Sequence, residues 1–130
     1  MTGVPFVVQW GQMSIGDIRL HVVFFRSESG TEPVRRWLKS LSVAHKKAIG
    51  EDIKTVQFGW PLGMPLVEKI EPYLWEVRSR VPDGIARVLF TVDGQMMILL
   101  HGFIKKTRKI PPTEINTARS RMKLYQEAGS

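Results

Sequence analysis

Cysteine is absent from these 130 residues, which removes disulfides, thiolate nucleophiles and cysteine-based zinc sites at one stroke. Histidine is scarce, and His21, His45 and His101 stand too far apart for a local metal-binding spacing. No apolar stretch approaches the roughly 20 residues that a membrane-spanning helix needs. The opening MTGVPFVVQW lacks the charged and long apolar parts of a signal peptide. A cytoplasmic location without membrane association is therefore the default expectation. The chain also has no glycine-rich phosphate loop, no carboxylate pair placed for glycosidic or two-metal work, and no nucleophile elbow. Neither a metal nor a cofactor is expected. Acidic residues are in deficit as well: 12 Asp+Glu against 19 Lys+Arg leave a formal charge of +7. That excess suits nucleic acid, ribosome, an anionic surface or an acidic partner, and does not choose among them.

What is present reads as one α+β domain. Hydrophobic residues make up 43% and charged residues 24%, the balance of a chain that buries an ordinary core. Residues 1–18 form a tail without clear pattern: Val4 to Trp10 has strand content, but Gly11 and Gly16 interrupt it. A single domain is expected over 19–127. RLHVVFFR from Arg19 has the β-branched and aromatic content of a strand, ended by SESG. Thr31-Glu32-Pro33 then signals a helix start, with Val34, Trp37, Leu38 and Leu41 on one face. Ser42 is placed to cap a second helix, whose apolar stripe is Ile49, Ile53 and Val56. Gly59, Pro61, Gly63 and Pro65 end the helical pair.

Three antiparallel strands should follow: Tyr73 to Val81, Ile85 to Val92 after Pro82-Asp83-Gly84, and Gln95 to Ile104 after Asp93-Gly94. The last is nearly all apolar, as in a strand covered on both faces. Thr113 to Gln126 forms a final helix with Ile115, Ala118, Met122 and Tyr125 inward. The predicted order is β-α-α-β-β-β-α, a small, mostly antiparallel sheet packed by a helical hairpin and a C-terminal helix.

The segment YLWEVRSRVPDGIARVLFTVDGQMMILLHGFIKKTRKIPP, Tyr73 to Pro112, concentrates the chemistry. Strand alternation puts Leu74, Glu76, Arg78 and Arg80 on one face and Tyr73, Trp75, Val77 and Val81 on the other. Ile85, Arg87 and Leu89 share the arginine face on the next strand. Arg78 or Arg80 should then approach Arg87, and two guanidiniums that close repel unless an anion lies between them. The anion is either a ligand phosphate or Glu76, in which case the group is a structural pair on a solvated face. Lys105, Lys106, Arg108 and Lys109 are either a solvated charge run or an extension of that basic surface at a strand end. His101 is either a proton shuttle or, beside Leu99 and Phe103, a packed core histidine. Trp37 fits helix core better than base stacking. Cleavage of RNA by such a set would need no metal: the 2′-hydroxyl attacks, a lysine takes its proton and arginines hold the phosphorane.

The pattern FFRSESGTEPVRRWLKSL, then LWEVR, GIARVLF and LLHGFIKKTRKIPPTEINTARSRMKLY, resembles the RelE/ParE toxin superfamily, in its phage-derived HigB-like, RelE-type branch. The likeness runs over residues 20 to 126. It implies a RelE-like fold and the toxin of a type II toxin–antitoxin pair, neutralised by a helix-turn-helix antitoxin. It further implies an endoribonuclease that cuts mRNA in the ribosomal A site and leaves a cyclic phosphate. By that resemblance Arg78, Arg87, Lys105 and Lys106 are catalytic. Lys69, Arg80, Arg108 and Lys109 bind RNA, and His101 or Tyr125 is the candidate for proton transfer, with the general acid unassigned. Two other functions fit the same charge: inhibition of DNA gyrase as in ParE-like members, and non-catalytic docking of an acidic partner by a basic phage or plasmid protein.

Overall fold

The computed structural model describes residues 17–107 and 109–129. The expected tail over 1–18 lies almost wholly outside them, as does Arg108. The elements are β1 (His21–Phe24), α1 (Pro33–Lys39), α2 (Val43–Gly59), β2 (Val67–Glu71), β3 (Leu74–Val81), β4 (Gly84–Asp93), β5 (Met96–Lys105) and α3 (Pro112–Ala128). They build one five-stranded sheet of order β1-β5-β4-β3-β2, in which only β1 runs parallel to its neighbour.

Period-two alternation sends the two halves of each strand's side chains into different cores. Val77, Ala86, Val88, Phe90, Met97 and Leu99 pack beneath α1 and α2 with Val34, Ile49, Ile53 and Val56. Leu74, Leu89, Ile98, Leu100 and Phe103 pack beneath α3 with Ala118 and Met122. The apolar run of β5 is thus covered twice, as its composition requires. Both helical stripes point inward as predicted. Ser42 caps α2 by accepting a hydrogen bond from the His45 backbone N–H at 3.2 Å. At α1 the N-cap is Glu32, not Thr31, and its side chain caps nothing. Its carboxylate instead accepts from Arg35 Nε at 2.5 Å.

Three features depart from the sequence reading. The edge strand β2 was unexpected, because VEKIE carries its charges on an edge that solvent can reach. Tyr73 does not begin β3. It sits in the Pro72–Tyr73 turn with φ of 68°, 67% exposed, a backbone conformation that a non-glycine residue rarely adopts. The third is a β-bulge in β5. Leu89 pairs with His101 while Phe90 pairs with Leu99, so Leu100 is an extra residue. Leu100 and His101 therefore both point to α3, and His101 does not share a face with Leu99. The bulge's carbonyl, Leu100 O, is taken up by Arg121 Nη1 at 2.9 Å.

Gly102, next after the bulge, lies flat under Trp37. A Cβ there would fall 2.4 Å from two atoms of the indole ring. Trp37 is accordingly core, as its helical spacing suggested. The Gly102→Ala variant is expected to lose about 1–3 kcal/mol through overpacking, read as a lower midpoint in urea unfolding. An unchanged midpoint would show that the indole moves aside freely.

Candidate functional site

Antiparallel pairing collects the basic residues at one end of the sheet. Arg78 is opposite Arg87, and Arg80, Ile85 and Lys105 form one rung across β3, β4 and β5. Lys106 and Lys109 follow on the exposed loop into α3. Arg80 and Lys105 are exposed; Arg78 is half-buried.

Between the two arginines lies Glu76. It is fully buried, and Arg87 is only 1% exposed. Arg87 Nη1 donates to both Glu76 oxygens at 3.0 and 3.2 Å, and Arg78 Nε is 3.6 Å from Oε1. Arg78 Nη1 also reaches toward Glu68 at 3.8 Å. Of the two readings of this cluster, the anion between the guanidiniums is Glu76, inside the protein and not on a solvated face. Burial pushes the Glu76 carboxyl up, against the hydrogen bond and charge of Arg87 and the charge of Arg78, which pull it down. Arg87 uses its other nitrogen, Nη2, to donate to the Thr107 carbonyl at 2.7 Å. Its guanidinium thus fastens the Lys105–Lys109 loop to the sheet and is not presented to solvent.

The turn next to that loop is also pinned. His45 Nε2 donates to Asp83 at 2.6 Å, while its Nδ1 is bonded to Ser42 Oγ. The bond to His45 holds the Asp83 carboxyl below its usual range, with a smaller contribution from the charge of Lys106. Gly84, φ 153°, brings the turn so close to β5 that a Cβ would lie 3.0 Å from the Lys105 carbonyl oxygen.

A cleft of about 640 Å³ opens beside this end of β3. Its walls include Arg78, Arg80 and Ile85 on the sheet, Met64, Pro65 and Leu66 before β2, and Glu51 and Asp52 on α2. Burial pushes the Asp52 carboxyl up, a hydrogen bond with Ser79 pulls it down, and the neighbouring Glu51 adds a smaller upward push. Glu51 and Asp52 had no part in the sequence reading, which met His45 only as one of three scattered histidines and Asp83 only as a turn residue. Helical periodicity sets Glu51 away from the apolar stripe and Asp52, at i+3 from Ile49 and i−4 from Val56, on its border, but does not show that β3 lies opposite.

The remaining candidates are elsewhere. Lys69 pairs with Trp75 on the edge strand, away from the rung of Arg80 and Lys105. His101 donates from Nε2 to Glu114 at 2.5 Å and accepts at Nδ1 from Arg121 at 3.2 Å, so both ring nitrogens are engaged between β5 and α3. Tyr125 is turned inward, and its hydroxyl donates to Asp93 Oδ2 at 2.7 Å. Asp93 ends β4 at the opposite end from Ile85, roughly 27 Å away at about 3.4 Å per residue. The structure does not bring Tyr125 to the basic loop.

These observations define a small α+β protein whose cationic groups are fixed at one sheet end beside a cleft of mixed charge. The family model for Phage derived protein Gp49-like (DUF891) matches residues 36–123, well over half of the chain, and the chain belongs to that family. The family falls within the RelE/ParE-like toxin superfamily, and its members are often toxin-like parts of toxin–antitoxin systems. A search of curated proteins finds no match to the chain. None of the described helices is long and apolar enough to cross a membrane.

Removing the central carboxylate should be costly, because it leaves two guanidiniums together and one of them buried. Glu76→Ala is expected to lower unfolding stability by about 3–5 kcal/mol, measured by urea denaturation; a loss below about 1 kcal/mol would contradict the pairing. Burial, and then the bond to Asp93, push the Tyr125 hydroxyl up to about 12. In ultraviolet titration of the phenol, Asp93→Asn should move that midpoint downward, since the negative acceptor that favours the neutral phenol is gone.

Proposed function

We propose that this protein is the toxin of a type II toxin–antitoxin pair, of the HigB-like, RelE-type branch, and that it cleaves mRNA in the ribosomal A site. The observation that carries the proposal is the rigid collection of Arg78, Arg80, Lys105 and Lys106 at one sheet end, beside a cleft. A docking surface for an acidic partner gains little from holding its cations on paired strands. Stabilising a phosphorane demands it, because the donors must already be in place when the charge develops.

Arg78 and Arg80 line the cleft and bind the scissile phosphate. Lys105 and Lys106 neutralise it from the rim, with Lys109 and Arg108 extending the contact along the RNA backbone. Lys69, on the edge strand, contributes to RNA binding at a distance from the reaction. Arg87 acts from within: it neutralises Glu76 and holds the Thr107 carbonyl, so that the lysine loop keeps its position. The 2′-hydroxyl attacks the phosphorus and the products are a cyclic phosphate and a 5′-hydroxyl. A small helix-turn-helix antitoxin is the neutralising partner in this reading.

The test is to induce the protein in translating cells and map mRNA ends, alongside Arg78→Ala and the double variant Lys105→Ala, Lys106→Ala. Arg87 is a poor choice for this purpose, since its loss uncovers Glu76. Wild type should give cuts within translated codons. Arg78→Ala should reduce them by about 10²-fold or more, and the lysine pair should weaken cutting with its fold intact. Intact mRNA accompanied by DNA breaks would point to gyrase instead; intact mRNA and DNA would leave only the docking reading.

A further inference from the structure

We propose that the cleft beside β3 docks an extended segment of a partner protein, which pairs with the open strand edge at Arg80 and sets an acidic side chain beside that arginine. The docking stands apart from RNA cleavage. Its consequence, that the segment closes the site, rests on the cleavage reading, in which Arg78 and Arg80 hold the phosphate.

β3 runs on past the strand that pairs with it. β2 covers it from Leu74 to Val77, and the last bond across this edge runs from Arg78 N–H to the Leu66 carbonyl at 2.9 Å. Before Leu66 the chain turns away: Val67 N–H donates back to the Gly63 carbonyl at 3.1 Å, and Pro65 has no N–H to offer. Backbone groups alternate in direction along a strand, so Arg80 aims its N–H and carbonyl as Arg78 does, away from β4. They meet no partner among the described residues. The cleft of about 640 Å³ lies against this gap. Met64, 60% exposed, gives it apolar walls together with Pro65, Leu66, Ala48 and Ile85. A bare strand edge beside apolar walls is suited to take up an extended peptide.

Charge fixes which segment fits and in which register. Arg80 shares its rung with Ile85 and Lys105, on the sheet face away from α2. It is exposed and makes no ion pair among the described residues, whereas Arg78 is committed to Glu76 and Glu68. A residue added opposite Arg80 extends that rung and brings its side chain next to the guanidinium, where an acid is matched. The residues on either side of it turn to the other face, toward Glu51 and Asp52 of α2. Those carboxylates repel further acids, so the flanking positions are apolar. A slip of one residue would set the acids against α2, which holds the register. A second copy of this chain fits poorly, because two β3 edges joined about a twofold axis put one Arg80 beside the other.

The probe is a fluorescein-labelled pentapeptide, Thr-Val-Glu-Val-Thr, whose central acid faces Arg80 and whose valines face α2. Binding is followed by fluorescence anisotropy, and amide hydrogen exchange at Arg80 is read by NMR with and without the peptide. The wild type should bind it, and saturation should slow exchange at Arg80 by about fivefold or more. Arg78, already bonded to Leu66, should not change. Methylating the nitrogen of the central Glu removes a main-chain hydrogen bond and should weaken binding by about fivefold or more. Arg80→Ala should weaken it by about threefold, a difference that fades with added salt. An N-methylated peptide that binds as tightly as its parent, or Arg80 exchange that the peptide leaves unchanged, overturns the docking. Arg80 exchange that slows with protein concentration alone overturns it in favour of a second copy. Saturating peptide should also stop the cutting of mRNA on translating ribosomes, and cutting that continues overturns the closure of the site. Wild type that binds the peptide but never cuts mRNA overturns the cleavage reading alone, and wild type that cuts but does not bind overturns only the docking.

Discussion

A carboxylate buried between two guanidiniums, Glu76 between Arg87 and Arg78, makes the rest of this sheet end possible. Without it, directly opposed arginines on neighbouring strands would repel, and a buried guanidinium would cost several kcal/mol in lost hydration. With it, Arg87 can be enclosed completely and still have a hydrogen bond to spend on the Thr107 carbonyl. The basic loop is consequently held by a side chain that touches no solvent. The segment from Tyr73 to Pro112 looks poor in acid when residues are counted. Its acids are instead placed one by one: Glu76 between arginines, Asp83 on His45 and Asp93 on Tyr125.

Those three acids also give the sheet two different ends. At the Lys105 end, cations outnumber the carboxylates that hold them, and the cleft between β3 and α2 is open. At the Asp93 end, a phenol and a carboxylate close on each other, and the tyrosine is held neutral up to about 12. A group so reluctant to give up its proton, and so distant from the cations, serves as a tie between α3 and the β4–β5 turn. His101 is a tie of the same sort, bonded to Glu114 and Arg121 on α3. Both histidine and tyrosine are residues that chemistry often uses, and here both are spent on docking the last helix.

The sheet faces were legible because period-two alternation is a local property: Glu76, Arg78 and Arg87 fall on one face by arithmetic alone, and the register then pairs them. The helical stripes were legible for the same reason. What escaped were features set by a partner far along the chain. The strand β2, VEKIE, has three charged residues among its five and gains its identity only by pairing with β3. The extra residue at Leu100 leaves no mark on the apolar run around it, yet it turns His101 toward α3. The pairing of Glu76 with Arg87 was visible as an alternative. Its burial was not, because burial depends on the loop through Thr107, which Arg87 itself holds.

Asp52 lies beyond that horizon altogether. Helical spacing in VAHKKAIGEDIKTVQF sets Asp52 on the border of the apolar stripe and Glu51 away from it, yet in an isolated helix each would be an ordinary solvated carboxylate. The difference comes first from burial of Asp52 against the sheet and then from Ser79, which is buried on β3 with its side chain on the face opposite its two arginine neighbours. Alternation thus makes one short stretch of strand serve two purposes. Arg78 and Arg80 supply positive charge to the cleft, and the serine between them anchors the carboxylate that lines it too. Three consecutive residues of β3 thus send two cations to one face of the sheet and a hydroxyl to the other, so the acid of α2 is met by a neutral group and does not close on either guanidinium.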